Sequence, residues 1–368
     1  MKVSFPYMGT SHIAFSMLLR NLGHEPVVVK PTQKTLTLGT QYSPEFACLP
    51  FKILLGTYLE AIEKGAELIL TSGGIGPCRA GYYGVLHQKI IDDLGLNAKI
   101  IVFEPPRNLS IFDLLNKINY VIKLNKIKWL DFIHYFKLGW QKLKALDEIE
   151  NYVHKIRPYE TNKGDTTQAF EEAQKILEKA QTKEEIEEAL QAAKNVLDNV
   201  PQDKSRQPLK IGIIGEIYVV LEPFANHHVE TVLGELGVEV HRSISLTGYT
   251  SNSFIKEGEQ DVIKAAHPYL NQLIGGHGIN SIGETVLYAR HGYDGVVQLA
   301  PFACIPEIVA KGILPKVQKD LGIPVLTLFL DEQTGKAGIE TRLEAFVDLL
   351  KQKRYRANVQ DKLVAVNL

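Results

Sequence analysis

Cysteine, methionine and tryptophan are all scarce in this chain: three, three and two residues in 368. So small and odd a cysteine count excludes the even disulfide frameworks of small secreted domains. In a reducing compartment the three are thiols. An excess of one charge is missing too. Lys plus Arg number 41 against 42 Asp plus Glu, a formal net charge of −1. Nothing in that balance favours capture by nucleic acid or by an anionic membrane. No apolar run approaches the length of a membrane span. The opening MKVSFPYMGTSHIAF breaks into Pro, Gly and Ser where a secretory leader would carry an apolar stretch. A cytoplasmic protein with neither nucleic-acid nor membrane partners is expected. There is no G-x-x-x-x-G-K-[ST] phosphate loop, and Gly73-Gly74-x-Gly, ending in Pro-Cys, is not a dinucleotide fingerprint.

The length exceeds one ordinary core and suits two domains with an insert. Through residue 105 strand and helix patterns alternate. Residues 3–7, 26–29, 66–70 and 99–103 read as strands, and 11–22, 54–64 and 84–94 as helices, each closed by a glycine. Residues 31–47 read as a long loop. From 106 to 208 strand signals vanish, while 111–120 and 129–157 carry apolar residues at three- and four-residue spacing. There Thr182 with Glu185 is a capping-box signature. Trp129, Phe132, Tyr135 and Phe136 read as core, and the many lysines and glutamates as a solvated face. From 209 to 368 the alternation returns, with strands at 209–214, 238–241, 295–299 and 324–329 and helices at 229–236 and 339–353. The expected fold class is α/β: two lobes, 1–105 and 209–368, with mostly parallel sheets, and a helical insert, 106–208, between them.

Phe46-Ala47-Cys48-Leu49-Pro50 and Phe302-Ala303-Cys304-Ile305-Pro306 share one frame, each ahead of a helical run. In a chain so poor in cysteine the match reads as a weak internal repeat of a ligand-binding turn. Cys78 follows a strand and the turn Ser72-Gly73-Gly74-Ile75-Gly76-Pro77. In doubly wound sheets ligands sit beyond the carboxyl ends of the strands, and all three cysteines fall in loops or helix starts at that edge. A helix N-terminus favours a thiolate, and a proline two residues on fits the first turn. Soft thiolates select an iron–sulfur cluster or zinc. Structural zinc wants four ligands, often from C-x₂-C pairs, which are absent. A three-cysteine catalytic zinc, a lone nucleophile and inert core placement stay open on the residues alone.

Other residues qualify for the same region. Glu216 follows a strand and a glycine, where a carboxylate serves acid–base work or caps the next segment. His277, in Gly275-Gly276-His277-Gly278, is a candidate pocket residue, and Ser281 with Glu284 reads as a cap for the helix beyond. Arg79, beside Cys78, is placed to donate to a cluster sulfur, to attract an anion or to form a surface ion pair. His227-His228 are neighbours on an expected helix and so do not face a common ligand.

At these residues the chain resembles the 2-hydroxyacyl-CoA dehydratase family, in its cluster-bearing D-component-like and CoA-protein-activase-related subunits. The carrying segments are Pro6-Tyr7-Met8-Gly9, residues 42–50, residues 73–81, Lys155-Ile156-Arg157-Pro158-Tyr159-Glu160, residues 275–278 with 281–284, residues 301–307, and Thr341-Arg342-Leu343-Glu344-Ala345-Phe346. The resemblance runs nearly end to end. It implies two Rossmann-like lobes and a [4Fe–4S] cluster on Cys48, Cys78 and Cys304, with Arg79 beside it. It also implies electrons from an ATP-dependent activator that carries its own cluster, used for reductive radical chemistry on an acyl-CoA thioester. ATP use would belong to that partner, since this chain has no actin-like ATPase signature. Family dehydratases pair two related subunits, so a related second subunit or a homodimer is implied. A non-enzymatic electron-transfer or accessory member is the alternative. Three cysteines argue against a linked pair of cubanes within one chain.

Overall fold

Short apolar strands at either end of the chain organise the molecule. The computed structural model describes residues 1–73, 78–104, 110–254 and 260–366. In the first lobe β1 (Lys2–Ser4), β2 (Glu25–Pro26), β3 (Leu68–Ser72) and β4 (Lys99–Phe103) form a parallel sheet in the order β2-β1-β3-β4. In the second, β5 (Leu209–Gly215), β6 (Val238–Arg242), β7 (Gly295–Pro301) and β8 (Val325–Leu330) are parallel in the order β6-β5-β7-β8. The two orders are the same, and they are those of a doubly wound α/β sheet. The lobes are therefore Rossmann-like, as the alternating pattern predicts. The inner strand β7 is buried along its whole length, which is why it reads as a continuous apolar run rather than an alternating one.

The span 31–47, expected as loop, holds a helix, Gln33–Tyr42. Its cap is reciprocal: Thr35 N–H donates to the Thr32 hydroxyl at 3.3 Å, and Thr32 N–H to the Thr35 hydroxyl at 3.0 Å. A threonine replaces the glutamate of the usual box, so the signal is easy to pass over. This helix lies against Leu49–Glu63 at Gly39 and Gly56. A Cβ on Gly39 would stand 1.8 Å from the Lys52 carbonyl oxygen, and one on Gly56 2.0 Å from that of Thr35. Leu49–Glu63 begins earlier than the expected 54, and Ala80–Asp93 earlier than 84. Both starts bring a cysteine to the helix end.

The insert carries the helices Ile111–Lys123, Trp129–Ile156, Asp165–Lys179 and Lys183–Asp198. The last three bury Leu146, Ile149, Leu177 and Leu197 against Ile13 and Met17 of helix Ser11–Asn21. Each such side chain contributes about 1.5–3 kcal/mol. The aromatic stripe read as core is corrected here. Trp129 and Phe136 are exposed, and helix Trp129–Ile156 enters the core only from Leu138 onward.

A buried charged network ties the insert to both lobes. Glu150 accepts from the Thr10 hydroxyl at 2.6 Å and pairs with Arg242 of β6. Arg242 stands 3.2 Å from Glu230, which His154 faces at 3.3 Å. Burial alone would raise Glu230, but Arg242 and His154 hold it down to about 2. Helix Lys336–Val366 sends Ile339, Leu343 and Val347 into an apolar cluster that continues through β5 to Leu49–Glu63, so the lobes share one core. Among the described residues no helix is long and apolar enough to cross a membrane.

Candidate functional site

Three strand ends and three helix starts meet between the lobes. Glu216 follows β5, Cys78 follows β3 and Cys304 follows β7. Cys48 is the N-cap of Leu49–Glu63 and Cys304 the N-cap of Ile305–Leu321, each with proline as the second helical residue. Cys78 stands two residues ahead of Ala80–Asp93. All three cysteines line a single cavity, together with Arg79, Tyr83, Glu216 and Pro306. As it stands the cavity holds about 20 Å³, room for about one water. Cys48 and Cys304 are buried and Cys78 is half-buried, and all three are free thiols. Among the described residues no three His, Cys, Asp or Glu side chains are grouped as ligands of a single metal ion.

The repeated pentapeptides do not occupy equivalent places. In lobe order β3 matches β7, so the counterpart of Cys304 is Cys78. Cys48 opens the helix before β3, and its counterpart is His277, which opens Gly278–Arg290 before β7. The backbones differ as well. Ala303 is left-handed at φ 64°, a conformation costing an L-residue about 1–2 kcal/mol, and Ala47 is not. The likeness is of local helix-start chemistry, not of duplicated position.

Burial keeps the sulfurs protonated. It pushes the Cys48 thiol up to about 11, with a hydrogen bond from Tyr83 pulling back and the Glu216 carboxyl adding to the rise. Burial, then Glu216 and Glu307, push Cys304 higher still. Cys78 is raised by burial, against which the Ala80 N–H and the Arg79 cation act. Glu216 itself is lifted by burial to about 7, offset by backbone N–H groups of the turn it starts. It caps Ile217–Leu221, accepting from Val219 N–H at 3.1 Å, while lining the cavity. Of the roles read from the sequence the cap is the one the structure shows, and the same carboxyl faces the cavity.

Among the described residues Arg79 makes neither an ion pair nor a bond to sulfur. Its Nη1 donates to the Phe46 carbonyl at 2.8 Å and its Nη2 to the Ala303 carbonyl. One guanidinium thus holds the residue two before Cys48 and the residue before Cys304, across the lobes. His277 does not line the cavity, but Gly276 does approach it: a Cβ there would lie 3.6 Å from Cys78 Sγ. The ring of His277 lies tilted against that of Tyr249, centroids 5.4 Å apart, and burial lowers its pKa to about 4, so it is neutral at pH 7. Ser281 caps nothing. It donates to both oxygens of Glu307 at 3.0 and 2.9 Å, and Gln298 Nε2 donates to the same carboxyl at 2.8 Å. His227 and His228 are both left-handed, at the junction between helices Pro223–Asn226 and Val229–Glu235 rather than side by side on one helix.

Sequence reasoning singled out neither Tyr83 nor Glu307. Glu307 had a signal, a carboxylate three residues after a helix cap. Tyr83 had none, since its contact with Cys48 spans 35 residues. The Gly-rich turn at 74–77 lies outside the described residues.

Fold and site define a two-lobed α/β protein with an inter-lobe site of three thiols and one carboxyl. No protein-family model matches the chain. No curated protein matches it either.

Proposed function

We propose that Cys48, Cys78 and Cys304 hold a [4Fe–4S] cluster, in a protein related to the 2-hydroxyacyl-CoA dehydratases. One observation carries the reading: three thiols from three separate segments, two in one lobe and one in the other, line one cavity. The donor set suits a cube with one iron left open, since soft thiolates are the ligands that iron–sulfur centres take. The closed cavity is smaller than a cube, so loading calls for Cys48 to leave Tyr83 and the walls to part.

When bound, the cluster supplies one-electron chemistry at low potential. The chain's own residues do the rest. The three thiols give up protons on loading, and Arg79 and the helix starts offset the negative charge that results. Glu216, with a pKa of about 7, is the wall's acid–base group and can place a proton on a leaving hydroxyl. The implied partners are an ATP-dependent activator with its own cluster and, as substrate, an acyl-CoA thioester. A second reading, an electron-transfer or accessory protein, needs only the cluster and no room for a thioester beside a cavity of about 20 Å³.

The test is anaerobic reconstitution followed by iron and acid-labile sulfide analysis. About four of each per chain are expected, and each of Cys48→Ala, Cys78→Ala and Cys304→Ala should lose full occupancy. A reconstituted protein without iron or sulfide sinks both readings. With cluster bound, an activator and hydroxyacyl-CoA yielding enoyl product selects the first. Electron uptake without product selects the second.

A further inference from the structure

The near-neutral balance of the whole chain hides a local imbalance. Between residues 110 and 140 there are five lysines and two aspartates, in a chain of net charge −1. The same stretch carries both tryptophans, Trp129 and Trp140. It forms helix Ile111–Lys123, a short turn, and the first half of helix Trp129–Ile156. The first helix exposes Ile111, Phe112 and Leu115, with Phe112 72% accessible. The second exposes Trp129, Leu130, Ile133 and Phe136, with Leu130 80% accessible. At 3.6 residues per turn each set forms one stripe. Asp113 and Asp131 fall on the side of the helix away from the stripe, and Lys123 and Lys137 flank it. Lys123, Lys126, Lys128 and Lys137 form no ion pair among the described residues.

We propose that this helical pair seats the protein on an anionic phospholipid surface. An apolar stripe with tryptophan, bordered by lysines and with acids turned away, has the composition of a helix lying in the lipid interface. Lysine stems cover apolar surface while their ammonium groups reach the headgroups. A second copy of the chain is the poorer occupant. Two-fold docking would press a lysine-rich patch against itself, and lysine is depleted in protein–protein interfaces. The contact rests on the surface and crosses nothing, and it is independent of the cluster.

Trp129 lies on this face while Trp140 packs against the core of the insert, so fluorescence in a Trp140→Phe background reads the face. Full-length protein is titrated with vesicles of phosphatidylcholine and phosphatidylglycerol, about two to one, and with vesicles of phosphatidylcholine alone. A blue shift and co-sedimentation with the anionic vesicles, weakened by high salt, are expected. Lys126→Glu and Lys128→Glu should each lower partitioning about fivefold or more. Leu130→Glu, at a site already in solvent, should lower it at least as much without changing the circular dichroism spectrum. No shift with anionic vesicles, or equal binding to both kinds, overturns the proposal. So does light scattering that shows a dimer in free solution which Leu130→Glu dissolves, since the face is then an interface between copies.

Discussion

Replacing Arg79 with alanine removes the one side chain that grips both cysteine loops. The bond to Phe46 is solvent-exposed and contributes about 1 kcal/mol after screening. The bond to Ala303 is partly buried and charge-assisted, at about 1.5–3 kcal/mol. The loss is therefore about 2.5–4 kcal/mol. At about 1.3 °C per kcal/mol for 368 residues, Tm should fall by roughly 3–5 °C. Arg79→Lys keeps the charge but reaches one carbonyl, and about half the loss should return. Ala303 is left-handed and its carbonyl is held by Arg79, so the loop bearing Cys304 should also relax, and in protein reconstituted with the proposed cluster iron retention should fall in step with Tm. Differential scanning calorimetry and iron analysis on the same samples make the check. Arg79→Ala melting within about 1 °C of the parent and keeping all its iron refutes the clamp.

Arg242→Ala should destabilise by about 3–5 kcal/mol in urea unfolding, because it strands Glu150 and Glu230 in the interior; a loss under about 1 kcal/mol would show that water relieves them. Gly56→Ala should cost more than about 2 kcal/mol, since its Cβ would fall 2.0 Å from the Thr35 carbonyl, and a crystal structure should show helix Leu49–Glu63 displaced together with Cys48. Glu222 is lifted by burial to about 7 against an ordinary 4.5. A carboxyl whose folded pKa is raised contributes stability that is complete below the unfolded value and is lost as pH climbs through about 7. Glu222→Gln should therefore gain on the parent by up to about 3 kcal/mol between pH 5 and pH 8, and parallel profiles for the two proteins would refute this.

The sheets were legible because their inner strands are continuous apolar runs bounded by glycine. The helix Gln33–Tyr42 was not, because its apolar face is short, its cap pairs two threonines, and its fit depends on Gly56 of another helix. The cysteines declared themselves by rarity and by their place at helix starts. Their surroundings did not. Tyr83 and Glu307 owe their positions to tertiary packing, and Arg79 bonds backbone carbonyls that any residues could supply. The FAC repeat misled in a different way. Five matching residues specify a helix start with a thiol cap, a local property that recurs wherever it is needed, and they carry no record of which strand comes next. The exposed stripe at Trp129 was misread for a similar reason: periodicity gives the face of a helix but not what covers it.

The helix that opens on Cys48 in one half of the molecule opens on His277 in the other. Had the second half copied the first, a fourth sulfur would stand where a neutral imidazole now packs beside Tyr249. The count stops at three, split two to one, and the lone donor belongs to the half that also carries Glu216. Drawing the halves apart would strip that single sulfur first and leave a pair too few to grip an inorganic core. In the proposed cluster-bound form, retention of iron would then double as a gauge of how tightly the halves are shut.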